Sequence, residues 1–80
     1  MDDARIEALL RESPVLAGLT TQNGWVDADT LRFEVLAREG DGALVAVYFD
    51  ELVMEGAGCL AARVPCYGRV RLAGQTVELV

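Results

Sequence analysis

Apolar residues in the opening segment fall at Ile6, Leu9 and Leu10, the i, i+3, i+4 spacing of a single helix stripe. The spacing predicts a helix from about Asp3 to Arg11. Asp2 or Asp3 can cap it, and the early acids suit the positive end of the helix dipole. Ser13-Pro14 ends it, because the residue before a proline is pushed out of the α region. Pro14 is expected to open one further turn, to Ala17, with Ser13 as its cap and Gly18 as its stop.

Thr20 to Gly24 is polar and turn-prone, and from Trp25 the period changes to two. Leu31, Phe33, Val35 and Ala37 point one way; Arg32, Glu34 and Arg38 point the other, with Leu36 out of step. Glu39-Gly40-Asp41-Gly42 reads as a hairpin turn. The next strand, Ala43 to about Met54, is apolar on both faces through Phe49. Val45, Val47 and Phe49 take one side, and Leu44, Ala46 and Tyr48 the other. Such a strand is expected to be central and covered on both sides. The helix stripe supplies one cover, and nothing in the sequence supplies the second. Asp50 and Glu51 interrupt the run and predict a bend or bulge with solvated carboxylates.

Gly56-Ala57-Gly58 is a further turn, followed by a strand from Cys59 to Val64 that Pro65 breaks. Tyr67 to Leu72 and Gln75 to Val80 form a hairpin around Ala73-Gly74. A two-residue loop at that point sets Val70 opposite Val77 and Arg69 opposite Glu78. The expected architecture is α+β, a single domain over residues 1–80. Its short N-terminal helix packs on a curled antiparallel sheet or small barrel of about five strands.

Composition adds a tension to this outline. An 80-residue chain buries only about 60% of its unfolded surface. Yet 52% of its residues are hydrophobic. Either the core is dense or a second chain covers some of that surface. Net charge is −6, unevenly placed: residues 1–58 hold 12 acids against 4 Arg, a net −8, and residues 59–80 hold 3 Arg against Glu78, a net +2. The acidity argues against nucleic acid and anionic membranes as partners. No apolar run approaches the ~18–20 residues of a membrane span. The acidic Met-Asp-Asp start is unlike a signal peptide, so a cytoplasmic location is expected.

Candidate chemistry is sparse. Cys59 and Cys66, without any histidine, complete neither a four-ligand zinc site nor an activated thiol. An extended 59–66 segment also holds their Cα atoms ~23 Å apart at ~3.3 Å per residue, beyond disulfide reach. They are read first as buried structural thiols, and as reactive thiols only second. Asp27-x-Asp29 and the Asp50, Glu51, Glu55 group lack the spacing of a calcium loop. Arg63, Arg69 and Arg71 are the most distinctive charged group. They are expected either to pair with Glu78 and Glu34 or to form a docking patch, with Trp25 as a candidate interface anchor. No catalytic set, cofactor site or metal site is assigned. The expected function is a small interaction or accessory module that self-associates or binds another protein. The alternatives are a ligand-binding barrel and an enzyme using a thiol or a carboxylate.

Overall fold

Asp2 caps the first helix, α1 (Asp3–Glu12), its carboxylate accepting the Arg5 backbone N–H at 2.9 Å. Ile6 and Leu10 on its stripe are fully buried. Ser13 then caps a 3-10 segment (Pro14–Leu19) by accepting the Val15 N–H. That segment runs past Gly18, the expected stop, and ends where the Thr20 N–H and hydroxyl both donate to the Ala17 carbonyl. The computed structural model describes residues 2–56 and 59–80, without the side chains of Cys59 and Ala61. The expected turn at Gly56-Ala57-Gly58 therefore lies partly outside the described residues.

Four antiparallel strands follow: β1 (Trp25–Glu39), β2 (Gly42–Glu55), β3 (Cys59–Ala73) and β4 (Thr76–Leu79), paired in the order β1-β2-β3-β4. The sheet is open; it does not close into a barrel. Four strands replace the expected five because β3 runs unbroken through Pro65, which stands opposite Asp50. A proline is tolerated there because β4 pairs only with Val70–Ala73. Along residues 59–68 β3 is therefore an edge, and its free side needs no N–H; from Arg69, whose carbonyl accepts the Val80 N–H, that side is occupied.

Gly40 and Gly74 each open a two-residue loop with positive φ (60° and 61°), where a hairpin turn needs a glycine. The second loop is Gly74-Gln75, so Leu72 faces Val77 and Arg71 faces Glu78. This is a two-residue shift from the expected register. A shift of two preserves the side-chain faces, so the alternation read from the sequence survives it.

Leu36 breaks the alternation of β1 because it is the additional residue of a β-bulge between Val35 and Ala37. Beyond the bulge the faces exchange. Arg38 pairs with Ala43 on the helix side and reaches Asp3 of α1 at 2.9 Å, whereas Ala37 joins Leu44 on the other side. Both reverse the strict period-two reading.

The core lies between the sheet and the helical segments. Val45, Val47, Phe49, Val70, Leu72 and Leu31 meet Ile6, Leu10 and Leu16, with Cys66 beside them. Among the described residues no helix is long and apolar enough to cross a membrane.

Candidate functional site

Glu51 belongs to the same side of β2 as Val45, Val47 and Phe49, two residues beyond the last of them. It is fully buried, against the expectation of a solvated edge. β2 stays paired on both sides at residues 50–51, and the irregularity beside them is carried by β1, opposite Phe49. The polar segment after the 3-10 helix makes the burial tolerable. Glu51 accepts the backbone N–H groups of Thr21 (2.8 Å), Gln22 (3.0 Å) and Gly24 (2.6 Å), and the Thr21 hydroxyl (3.2 Å). Asn23 adopts φ 57° to turn the chain around the carboxylate. A Cβ on Gly24 would stand 2.6 Å from the Glu51 Cγ, so this close approach requires glycine. Burial pushes the Glu51 carboxyl up. The N–H groups of Thr21, Gly24 and Gln22 and the Thr21 hydroxyl outweigh it and hold the group below its ordinary value. Every lone-pair direction of this carboxylate is spoken for, which leaves it a clamp and no general base.

Cys66 lies next to it, buried, its Sγ 3.6 Å from Glu51 Oε1. Burial pushes the thiol up, and the hydrogen bond and negative charge of Glu51 push it further. A thiol so held is a poor nucleophile. In a Cys59→Ser background we expect iodoacetamide to leave Cys66 unmodified in the native state and to label it once urea unfolds the protein. Labelling at the native rate of a free thiol would show the burial to be wrong. The Cys59 side chain lies outside the described residues.

On the opposite side of the sheet, a second irregularity in β1 sets residues 28–31 against Phe49 alone. Thr30 repairs the ladder there: its hydroxyl accepts the Asp50 N–H and donates to the Asp27 carbonyl, both at 2.8 Å. Asp27 and Asp50 then stand opposite each other, with the Arg63 guanidinium 2.9 Å from the first and 3.7 Å from the second. Asp27 and Asp50, one from each acidic group of the sequence, thus flank an arginine, and among the described residues no group of acids or thiols is arranged for a metal. Arg63 lies about 20 Å along β3 from Arg69, at ~3.3 Å per residue. It shares their face but not their neighbourhood. Arg69 and Arg71 are adjacent on that face. Among the described residues neither forms an ion pair within 4 Å, although Arg71 faces Glu78.

This second face carries no covering element among the described residues. The pairings arrange it in rows across β1, β2 and β3: Trp25, Leu52, Arg63; Asp27, Asp50, Pro65; Arg32, Tyr48, Tyr67; Glu34, Ala46, Arg69. Leu44 and Arg71 follow beside Ala37, and Met54 and Leu60 lie at the far end. Tyr48 and Tyr67 stack at 5.1 Å between ring centres. Trp25 is 73% exposed and Tyr67 59%. The result is two apolar stretches along β2, Leu44 to Tyr48 and Leu52 to Met54, parted by Asp50 and flanked by charges of both signs, with Ala46 already buried beneath its neighbours. Trp25, Arg63, Arg69 and Arg71 all contribute to the face. The face was legible from the sequence as the unexplained second side of strand 43–49; its rows were not, because the bulges fix them.

Concavities lie elsewhere. One groove runs between α1 and β4, past Arg5, Leu9, Val15 and Val77. An apolar pocket of about 160 Å³ lies among Leu10, Leu16, Val26 and Leu31. Neither is lined by Trp25 or Phe49. The apolar pocket is below the ~300 Å³ at which small-molecule sites begin. No family model, curated protein or solved structure matches the chain.

Proposed function

We propose that this chain is a small protein-interaction module that docks through the open face of its sheet and has no catalytic activity of its own. The observation that carries this reading is β2, which presents apolar side chains on both faces while α1 and the 3-10 segment cover only one. Exposed apolar side chains gathered on one face, here Trp25, Met54, Leu60 and Tyr67, mark an interaction site in a folded protein. The edges of the sheet are less suited to docking. β1 is interrupted by two bulges and β3 carries Pro65 on its unpaired stretch, both features that discourage strand addition. The site residues favour binding over chemistry as well, since the buried carboxylate is saturated with donors and the neighbouring thiol stays protonated.

A photoactivatable cross-linker tests this. Placed at Tyr67, on the open face, it is expected to capture protein adducts in cells. Placed at Glu7, on the exposed side of α1, it is expected to capture far fewer. Equal yields from both positions, or none from Tyr67, would remove the open face from consideration.

A further inference from the structure

We infer that Asn23-Gly24 is a self-modification site that the Glu51 clamp holds closed. The asparagine cyclises when the clamp opens, and the isoaspartate that follows keeps it open.

The chemistry is that of an asparagine followed by glycine. The Gly24 backbone nitrogen attacks Cγ of the Asn23 side-chain amide. A new N–C bond forms, the Cγ–NH₂ bond breaks, and ammonia leaves with the proton that the nitrogen gave up. Water then opens the resulting succinimide at either carbonyl. One product is aspartate; the predominant one is isoaspartate, whose main chain runs through the side-chain carboxyl carbon. Glycine in the second position favours the attack, because no Cβ shields its nitrogen. Asn23 is the only asparagine of the chain, and it stands exposed at a left-handed φ of 57°. Its amide is open to water.

Glu51 governs the reaction through charge, anchoring and space. The attacking nitrogen is occupied, since the Gly24 N–H donates to Glu51 Oε2 at 2.6 Å, the shortest of the three backbone bonds of the clamp. Attack requires that nitrogen to lose its proton, and a carboxylate so close opposes a second negative charge beside it. The chain is also anchored on both sides. The N–H groups of Thr21 and Gln22 bind the same carboxylate, and Trp25 is paired with Leu52. Closing the ring swings the Gly24 nitrogen towards the Asn23 side chain and so pulls it off Glu51.

Space makes the release one-way. A Cβ on Gly24 would stand 2.5 Å from the Leu52 carbonyl oxygen and 2.6 Å from the Glu51 Cγ. Isoaspartate lengthens the main chain by one methylene directly before this closely fitted glycine. The Gly24 N–H then cannot return to the carboxylate while Gln22 and Trp25 keep their places. Glu51 is fully buried, so a lost donor leaves its charge undersatisfied and the modified chain less stable.

Mass spectrometry of the tryptic segment 12–32 reads the reaction, as the gain of mass when the Asn23 amide becomes a carboxylate. In mildly alkaline buffer we expect the native chain to react at least about tenfold more slowly than the same chain unfolded in guanidinium chloride. Equal rates would overturn the protection. Glu51→Gln should react several-fold faster than the native chain while still folded by circular dichroism. Val70→Ala, in the core away from the clamp, separates this effect from stability alone. With guanidinium added to the steadier of the two variants until both are equally stable, Glu51→Gln should remain the faster. Equal rates at that point would remove Glu51 from control of the site. The isoaspartate form, isolated from aged protein by ion exchange, should melt below Asn23→Asp, which carries the same charge on an unaltered main chain. If the two melt together, the modification does not hold the clamp open.

Discussion

Replacing Glu51 with Gln is expected to lower the melting temperature by about 10 °C or more, a large effect for a substitution that barely changes shape. The carboxylate uses both oxygens: Oε1 accepts from Thr21, and Oε2 accepts from Gln22 and Gly24. A carboxamide has one acceptor and two donors. Whichever way it is turned, its NH₂ confronts backbone N–H groups that have lost their acceptor. Buried donors left in that state cost more than the bonds themselves were worth. The effect has a pH signature. A carboxyl held below its ordinary value contributes stability that is fully present above the unfolded value, about 4.3. That contribution is lost as pH falls through the folded value. The gap between the parent chain and Glu51→Gln should therefore be widest near neutrality and close progressively on acidification below about pH 4. Thermal melts from pH 3 to pH 7 provide the check. A gap of under about 2 °C at pH 7, or one that widens in acid, would contradict the buried clamp.

The second large effect contrasts the two sides of β2. Phe49→Ala should cost about 3–5 kcal/mol, because it empties a fully packed site between the sheet and the helical segments. Native domains hold only about 5–15 kcal/mol in total, and one of 80 residues sits toward the lower end. The variant is expected to be largely unfolded at physiological temperature. Tyr67→Ala, on the open face, should cost only about 0.5–1.5 kcal/mol, mainly its ring contact with Tyr48. Urea unfolding at low protein concentration, where association does not contribute, separates the two. Equal losses would mean that the open face is part of the folded core.

Most of the fold could be read from residue order because its causes are local. The Ile6 and Leu10 stripe, the glycines at the two hairpin loops and the two apolar sides of strand 43–49 each act within a few residues. What escaped depends on distance along the chain. Pro65 ends a strand only where both sides of it must donate, and its position at an edge is set by how short β4 is. Leu36 looked like noise in a period-two pattern because a bulge leaves no residue-type signature there. Arg63 finds Asp27 and Asp50 through pairings that the irregularity of β1 at residues 28–31 makes possible. Glu51 was the most instructive miss. Parity already placed it with Val45, Val47 and Phe49, and the donor-rich Thr21–Gly24 segment was the available clue to what would face it. Its charge suggests a solvated edge, but its position on the strand decides its burial.

The arrangement of α1 and β4 has a consequence for the order in which the structure assembles. Each sheet pairing joins strands adjacent in sequence, so three hairpins can form by local zipping. Helix α1 behaves differently. It lies beside β4, and Arg5 donates across 69 residues to the Gly74 carbonyl. Closing so long a loop carries an entropic cost that nearby pairings do not. During synthesis the helix emerges early, and part of its seat is the last strand to be made. Until then Ile6 and Leu10 have only a partial surface to rest on, and the apolar stripe that starts the fold is among the last to be secured.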